Sequence, residues 1–570
     1  MKRRWFRLAV AVGACAAAAA SASAHALSLE TVAPLGPGAY AVGCSDVAQD
    51  FSKVPAGATA QNYWEGVPDG SGNGRYVTAL LSESTSTILA PVTPPDDGEL
   101  FGDFAQRTVD NVVLVCYPTD PTNPHADYAL PTGRAVPHMQ RAGDLPLFAS
   151  ASARYPVLLF SHGLLGSPLS NDYVQALAVF ASYGYVVIAP FHGDPRIANI
   201  QLDNFSDVFY AVTHFRDYTA MQAVRPLELE AALNAVLAHS EYAERIDTNE
   251  IAGFGASLGG ESMLLMAGAA LTDSVGLSSK QVMFDPRLKA IVGYVPYFGQ
   301  VIYPAFGRDQ KGLDAVTVPF LGISGTADTT APLSVAMQGV KRLSQTRQLV
   351  ALQGVGHTFD TASAPDIFTW SVLFLSANVF GNPLSRVQSA RMEQVSGGGQ
   401  DTLVIDYTAP TPPVGDERLV IEYYNGSLNH YFVTAEPAEA AMLDAGVMVP
   451  GWSRTGYNFK AYAADSPNGL LVCRFYGTPG VGPNSHFYTA DPAECQKVIR
   501  DPMWTFEGIA YHTDVAVGGD CAPDRIPVVR LYNNGMGGQA NHRYLTSPTE
   551  IGAMMTNGWI LEGAVFCARP

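Results

Sequence analysis

Beyond its N-terminus the chain has no apolar stretch long enough to cross a bilayer, so no transmembrane span is expected. It has no basic excess either. Lys and Arg total 34 against 52 Asp and Glu, a formal charge of -18. That balance argues against nucleic acid or an anionic membrane surface as a partner. Cysteines number only 7 and none has C-x-x-C spacing, so neither a zinc site nor thioredoxin-like chemistry is indicated. No metal and no cofactor is expected. A dinucleotide loop fails on one residue: Gly253 and Gly255 begin G-x-G-x-x-G, but Leu258 holds the third glycine position.

What is present starts with a leader. Lys2, Arg3 and Arg4 precede an Ala-rich apolar run, and Ala22-Ser23-Ala24 or Ala24-His25-Ala26 offers a small-x-small cleavage site. Residues 1–26 are expected to be a signal peptide, giving an extracellular or periplasmic protein. Arg3-Arg4-Trp5-Phe6 loosely resembles a twin-arginine signal and Val12-Gly13-Ala14-Cys15 a lipoprotein box; both rank below the plain signal. Loss of the leader removes Cys15 and leaves six cysteines in an oxidising compartment. Cys44 and Cys116 stand alone in the N-terminal part and are expected to pair. Cys473, Cys495, Cys521 and Cys567 leave three pairings open.

The length of 570 residues allows two or three domains. Residues 27–150, rich in Pro, Gly and Asp, read as an N-terminal extension packed on a catalytic domain at 151–395. In that domain apolar runs such as Val157–Phe160 and Tyr185–Ala189 alternate with helical stretches through short loops. This pattern predicts an α/β domain with a doubly wound, mostly parallel sheet. A helix is expected from Pro226 to His239. By composition, residues 396–416 read as a linker to a C-terminal module at 417–570.

The chemistry centres on Gly255-Ala256-Ser257-Leu258-Gly259, which follows an apolar strand and opens a helix. G-x-S-x-G at such a turn pushes a serine hydroxyl out of the backbone, and glycines two residues either side make room for it. Asp328 and His357 follow later strands, in the chain order Ser, Asp, His. Ser257 is expected as nucleophile, His357 as base and Asp328 as its orienting carboxylate. The backbone N–H groups of Leu258 and Leu164 are the expected oxyanion donors. His162 and His192 are expected to be structural. Aromatics in Pro190–Tyr218 and Tyr294–Phe306 read equally as an acyl pocket or as packed core.

PVLLFSHGLLGS, LAVFASYGYVVIAPFHGD, GFGASLGG, FLGISGTADTTAP and VGHTF resemble the platelet-activating-factor acetylhydrolase and dienelactone-hydrolase-like group of α/β-hydrolases over residues 150–365. Dienelactone hydrolases proper use cysteine where this chain has Ser257, so the acetylhydrolase side is closer. The resemblance implies an α/β-hydrolase fold and metal-free hydrolysis of carboxylic esters. A small or a polymeric ester is the implied substrate. One alternative is a polyester depolymerase held on its solid by the C-terminal module. The other is an adhesion or binding protein on a vestigial hydrolase fold.

That module repeats three times. The units open on Glu422-Tyr423-Tyr424-Asn425, Arg474-Phe475-Tyr476-Gly477 and Arg530-Leu531-Tyr532-Asn533 and continue through HYFVT, HFYT or HRYLT. A proline-led helix follows, then Trp452, Trp504 or Trp559, with a glycine four residues on. Such a period predicts a small pseudo-threefold domain of strands and helices. His430, His486 and His542 stand at equal spacing and read as equivalent structural residues rather than as a metal site. Binding of carbohydrate or a polymer surface is expected of this region, with the ligand open.

Overall fold

The computed structural model describes residues 30–45, 88–130, 133–140, 145–170, 173–194, 197–198, 214–359, 361–447, 449–536 and 540–570. The expected leader, 1–26, lies outside them.

A mixed sheet of eleven strands organises the N-terminal four hundred or so residues. Its strands are β1 (Ala41–Ser45), β2 (Ile88–Val92), β3 (Val109–Thr119), β4 (Met139–Gln140), β5 (Tyr155–Ser161), β6 (Val186–Pro190), β7 (Ile246–Ala256), β8 (Leu288–Tyr294), β9 (Phe320–Gly325), β10 (Arg347–Leu352) and β11 (Asp401–Tyr407). Their order is β11-β10-β9-β8-β7-β5-β6-β3-β1-β4, with β2 also paired to β3. The run β10-β9-β8-β7-β5-β6 is parallel throughout. The antiparallel pairs are β11–β10, β3–β6, β3–β1 and β2–β3.

Successive residues of a buried parallel strand face opposite sides, and both sides are covered here. Leu158 and Phe160 of β5 join a core with α1 (Tyr173–Ser182) and α5 (Ala364–Asn378). Val157 and Leu159 join the other core with α2 (Phe215–Ala238), α3 (Leu258–Met266) and α4 (Leu333–Arg342). Each such side chain contributes about 1.5–3 kcal/mol.

Three sequence expectations change. Residues 27–150 are more than an extension: they supply β1 to β4 to the sheet itself, with β3 pairing directly to β6. Residues 396–416 are more than a linker, since β11 forms the antiparallel edge on β10. Composition misled there because an edge strand needs only a half-apolar pattern, and Leu403 and Ile405 provide it. Finally, α2 begins at Phe215 rather than Pro226, which lies inside the helix. A proline in mid-helix removes one hydrogen bond, and the buried face of α2 outweighs that loss.

The C-terminal repeats share one plan: long strand, hairpin partner, helix with proline at its first turn, long strand. The first is β12 (Glu417–Asn425), β13 (His430–Thr434), α6 (Pro437–Ala445) and β14 (Trp452–Tyr462). The second is β15 (Leu470–Gly477), β16 (His486–Thr489), α7 (Pro492–Ile499) and β17 (Trp504–Thr513). The third is β18 (Ile526–Tyr532), β19 (His542–Leu545), α8 (Pro548–Thr556) and β20 (Ile560–Ala568).

The three histidines are not equivalent. Tyr476 pairs with His486 and Tyr532 with His542, but the matching Tyr424 pairs with Tyr431, and His430 is displaced onto Asn425. The ring contacts agree: Tyr424–Tyr431 at 4.8 Å, Tyr476–His486 at 4.9 Å and Tyr532–His542 at 5.1 Å. The HYFVT segment carries one more residue before its helix than HFYT does, so equal spacing in sequence hides a slip of one in register.

A guanidinium sits at each joint between repeats. Arg474 of the second repeat meets Glu439 of the first at 3.0 Å and its own Glu507 at 3.0 Å. Arg530 of the third repeats this with Glu494 at 3.0 Å and Glu562 at 2.7 Å. Arg474 also lies 5.9 Å from the ring of Phe432, and Arg530 4.8 Å from that of Phe487. At the third joint the roles are exchanged. Glu422 holds the arginine position, and Arg543 holds that of the ring. Arg543 bonds Glu422 through Nε and Nη2, each at 3.0 Å, and Glu550 at 2.6 Å.

Disulfides join Cys44 to Cys116, as expected, Cys473 to Cys495, and Cys521 to Cys567. No helix among the described residues is long and apolar enough to cross a membrane. The two halves of the chain touch. On β11, Asp406 accepts from the Ser547 hydroxyl at 2.8 Å and from the Thr549 amide at 3.2 Å.

Candidate active site

In the parallel run, β6 lies on one side of β5 and β7 on the other. The chain therefore turns in opposite directions after β5 and after β7, and a crevice opens at the strands' C-terminal ends between them. Ser257 ends β7, and the segment Ser161–Leu165 leaves β5 beside it.

Ser257 adopts φ 53° and ψ -120°, a left-handed conformation that costs a non-glycine residue strain. Its backbone is held by its N–H to the Tyr294 carbonyl at 2.9 Å and by its carbonyl to Tyr297 N–H at 3.0 Å. A methyl carbon at Gly255 would stand 2.2 Å from the Gly259 carbonyl oxygen, and one at Gly259 would stand 2.0 Å from that of Ser161. Both glycines are required by close packing, not merely by turn preference.

Ser257 Oγ lies 2.8 Å from His357 Nε2, and His357 Nδ1 lies 2.8 Å from Asp328 Oδ2. The other Asp328 oxygen accepts the N–H groups of Thr330 and Ala331, both at 2.8 Å. The carboxylate is thus fixed on both sides, and it sets the imidazole with Nδ1–H donating to Asp328 and Nε2 facing the serine. The loop carrying His357 is tied down by Tyr294, whose hydroxyl donates to the Thr358 carbonyl at 3.0 Å. Asp328 is buried, and Ser257 is 9% exposed. The structure brings together the three side chains named from sequence, in an arrangement that lets an imidazole draw a proton from a hydroxyl.

Leu258 opens α3 directly after the serine. Gly163 touches the serine from the other side: a methyl carbon there would stand 3.4 Å from Ser257 Cβ. Among the described residues no acceptor takes the amides of Leu164 or Leu258. The next amide, Leu165, donates to Asp194 Oδ2 at 2.7 Å, in a left-handed residue with φ 58°.

Behind this loop lies a buried polar network that sequence reading missed. Arg225 of α2 donates to the carbonyls of His162 at 2.8 Å and Gly163 at 3.0 Å, and to both Asp194 oxygens at 2.8 Å. Burial works to raise the Asp194 pKa, yet the Arg225 guanidinium outweighs it and holds the carboxyl below its ordinary value. His162 donates from Nδ1 to the Gly163 carbonyl and accepts the His192 N–H at Nε2. Burial first, then Arg225, pushes its pKa down to about 3, so it stays neutral. His162 and His192 are therefore structural, as expected, but they hold the loop rather than fill space.

His192 repeats the serine–histidine–carboxylate order. Its Nε2 lies 2.8 Å from Ser161 Oγ and its Nδ1 2.6 Å from Glu228, with all three residues fully buried. Glu261, on α3, is also buried and accepts both bonds of the Gln222 amide, at 2.7 and 2.9 Å. Burial pushes its pKa up to about 8. Gln222, Arg225 and Glu228 recur every three residues of α2, a polar stripe on an otherwise apolar helix. That stripe was the available signal. Of the aromatics read as a pocket, residues 199–213 lie outside the described residues. Phe298 and Phe306 are buried in the core. No cluster of potential metal ligands occurs among the described residues.

No curated protein matches the chain. The three repeats, residues 408–569, match the model of a family described as a domain of unknown function (DUF5648), and the match begins one residue past β11.

Proposed function

We propose that the chain is a secreted serine hydrolase that cleaves carboxylic esters through an acyl-enzyme, on an α/β-hydrolase fold of the acetylhydrolase-like group. The carrying observation is the unbroken relay from Ser257 Oγ through His357 to Asp328, at 2.8 Å in each step, on a strained serine turn. The strand order with its switch at β5 supports the same reading, as do three disulfides for export.

Ser257 Oγ attacks the ester carbonyl carbon as its proton passes to His357 Nε2. Asp328 stabilises the imidazolium. The carbonyl oxygen, now an anion, takes the Leu164 and Leu258 amides. His357 returns the proton to the departing alcohol, which leaves Ser257 acylated. Water then repeats the cycle, with His357 as base, to release the acid. Arg225 and Asp194 are positioning residues, since they fix the carbonyls and the Leu165 amide on either side of Leu164. The pocket's chain-length preference follows from hydrolysis of p-nitrophenyl esters from acetate to palmitate, with Ser257→Ala as control. Turnover that vanishes in the variant supports the reading. Absence of turnover at every length in folded protein overturns it and favours a binding protein.

A further inference from the structure

The first joint between repeats is open where the third is sealed. Each joint pairs a guanidinium with a carboxylate from the neighbouring strands. At the third, Arg543 and Glu422 are both 2% exposed. At the first, Arg474 is 21% exposed, Glu439 across the joint 25% and Glu507 of its own repeat 29%. A cleft of about 320 Å³ occupies the space beside Glu507. That lies at the lower end of the range of small-molecule sites.

The walls of the cleft come from both repeats. Tyr431 and Trp452 stand on the first, and Tyr476, Asn484, His486 and Glu507 on the second. The Trp452 ring is fixed edge-on against Phe432 at 5.9 Å, and the Tyr476 ring lies against His486 at 4.9 Å. Tyr476 donates its hydroxyl to Asn484 Oδ1 at 2.5 Å. The aromatic surfaces are thus braced before any ligand arrives, which lowers the ordering cost of binding. Glu507 is the polar centre. It contacts His486 Nε2 at 3.3 Å and Arg474 at 3.0 Å. Burial works to raise its pKa, but His486 and Arg474 outweigh that and keep it ionised.

Two features define the ligand. Arg474 is shared between Glu507 and Glu439, so the cleft leans acidic and disfavours an anionic ligand. A carboxylate also accepts hydrogen bonds and donates none, so the ligand must bring donors. A polyester chain brings only acceptors. A sugar ring brings hydroxyl donors around its edge and C–H faces that pack on aromatic rings. We propose that the cleft between the first two repeats binds a neutral glycan, one ring lying on Trp452 and Tyr476 with its hydroxyls on Glu507, His486 and Asn484. This site stands independently of the esterase reading, because none of its residues touches Ser257, His357 or Asp328.

The test is affinity electrophoresis of the full chain through gels holding xylan, laminarin, galactomannan or hydroxyethyl cellulose, with adsorption to poly(3-hydroxybutyrate) film in parallel. Retardation by at least one of these glycans, cut about tenfold by Trp452→Ala and also reduced by Glu507→Gln, supports the site. Calorimetry that follows the transition of the repeats serves as the check on folding, and both variants keep that transition close to the wild-type one. No retardation in any gel overturns the proposal. So does retardation untouched in Glu507→Gln, or adsorption to the polyester alone.

Discussion

Ser161 Oγ lies 2.8 Å from His192 Nε2, the same separation as between Ser257 Oγ and His357 Nε2. Each imidazole leans on a carboxylate through Nδ1. What divides the two is access and backbone: Ser161 ends a regular strand in full burial, whereas Ser257 sits on a strained turn at a crevice. A fluorophosphonate is therefore expected to label Ser257 and never Ser161. Peptide mapping after labelling checks this. Ser257→Ala should abolish both labelling and turnover, the latter by on the order of 10⁶-fold, while Ser161→Ala keeps the label on Ser257.

Arg225 governs the loop that carries the Leu164 amide. Arg225→Met strands the Asp194 carboxylate in the core, which costs about 3–5 kcal/mol. It also releases the His162 and Gly163 carbonyls. The paired change Arg225→Met with Asp194→Leu should recover much of the stability but little of the rate. Loss of a well-placed oxyanion donor is worth about 10²-fold or more in kcat. Denaturant melts and ester kinetics on the single and double variants separate the two effects.

Two buried groups should give stability opposite slopes with pH. His162 has a folded pKa of about 3 against an ordinary 6.5, so the unfolded chain takes up the proton first. Its contribution is present above pH 6.5 and is lost as the pH drops towards 3. Glu261 runs the other way. Its folded pKa of about 8 exceeds the ordinary 4.5, so the folded chain holds the proton and stability declines as the pH rises from 4.5 to 8. Glu261→Gln should remove the decline between pH 4.5 and 8 and leave the His162-linked fall towards pH 3 in place, as read from Tm against pH.

Glu422→Gln removes half of a buried ion pair and should destabilise the repeats by about 3–5 kcal/mol. Glu422→Met combined with Arg543→Met should be close to neutral at that pair, apart from the ion pair that the same guanidinium makes with Glu550. Calorimetry of the full chain, following the transition of the repeats, gives both values.

The sequence carried the site better than its support. Ser257, Asp328 and His357 each lie shortly past the end of a strand, and a strand's end is visible from local apolar pattern and turn residues. Arg225 and Asp194 meet only through the packing of α2 across β5 and β6, which no local pattern encodes. Repeat boundaries were legible from Trp and Pro positions. The role of His430 was not, because one added residue in HYFVT preserved the spacing while shifting the pairing. The edge strand β11 was hidden by the proline-rich segment that follows it.

The exchange of Glu422 and Arg543 gives the three repeats an unequal joint, and with it a fixed beginning and end. Stacked arrays gain or lose whole units during evolution because each interface resembles the next. Here a duplicate of the first unit would set Glu422 against Glu439, and a duplicate of the third would set Arg530 against Arg543; only a copy of the second would meet matching partners. Charge order thus marks the first and third units as the ends that close on each other, and leaves the middle unit as the place where the array could lengthen.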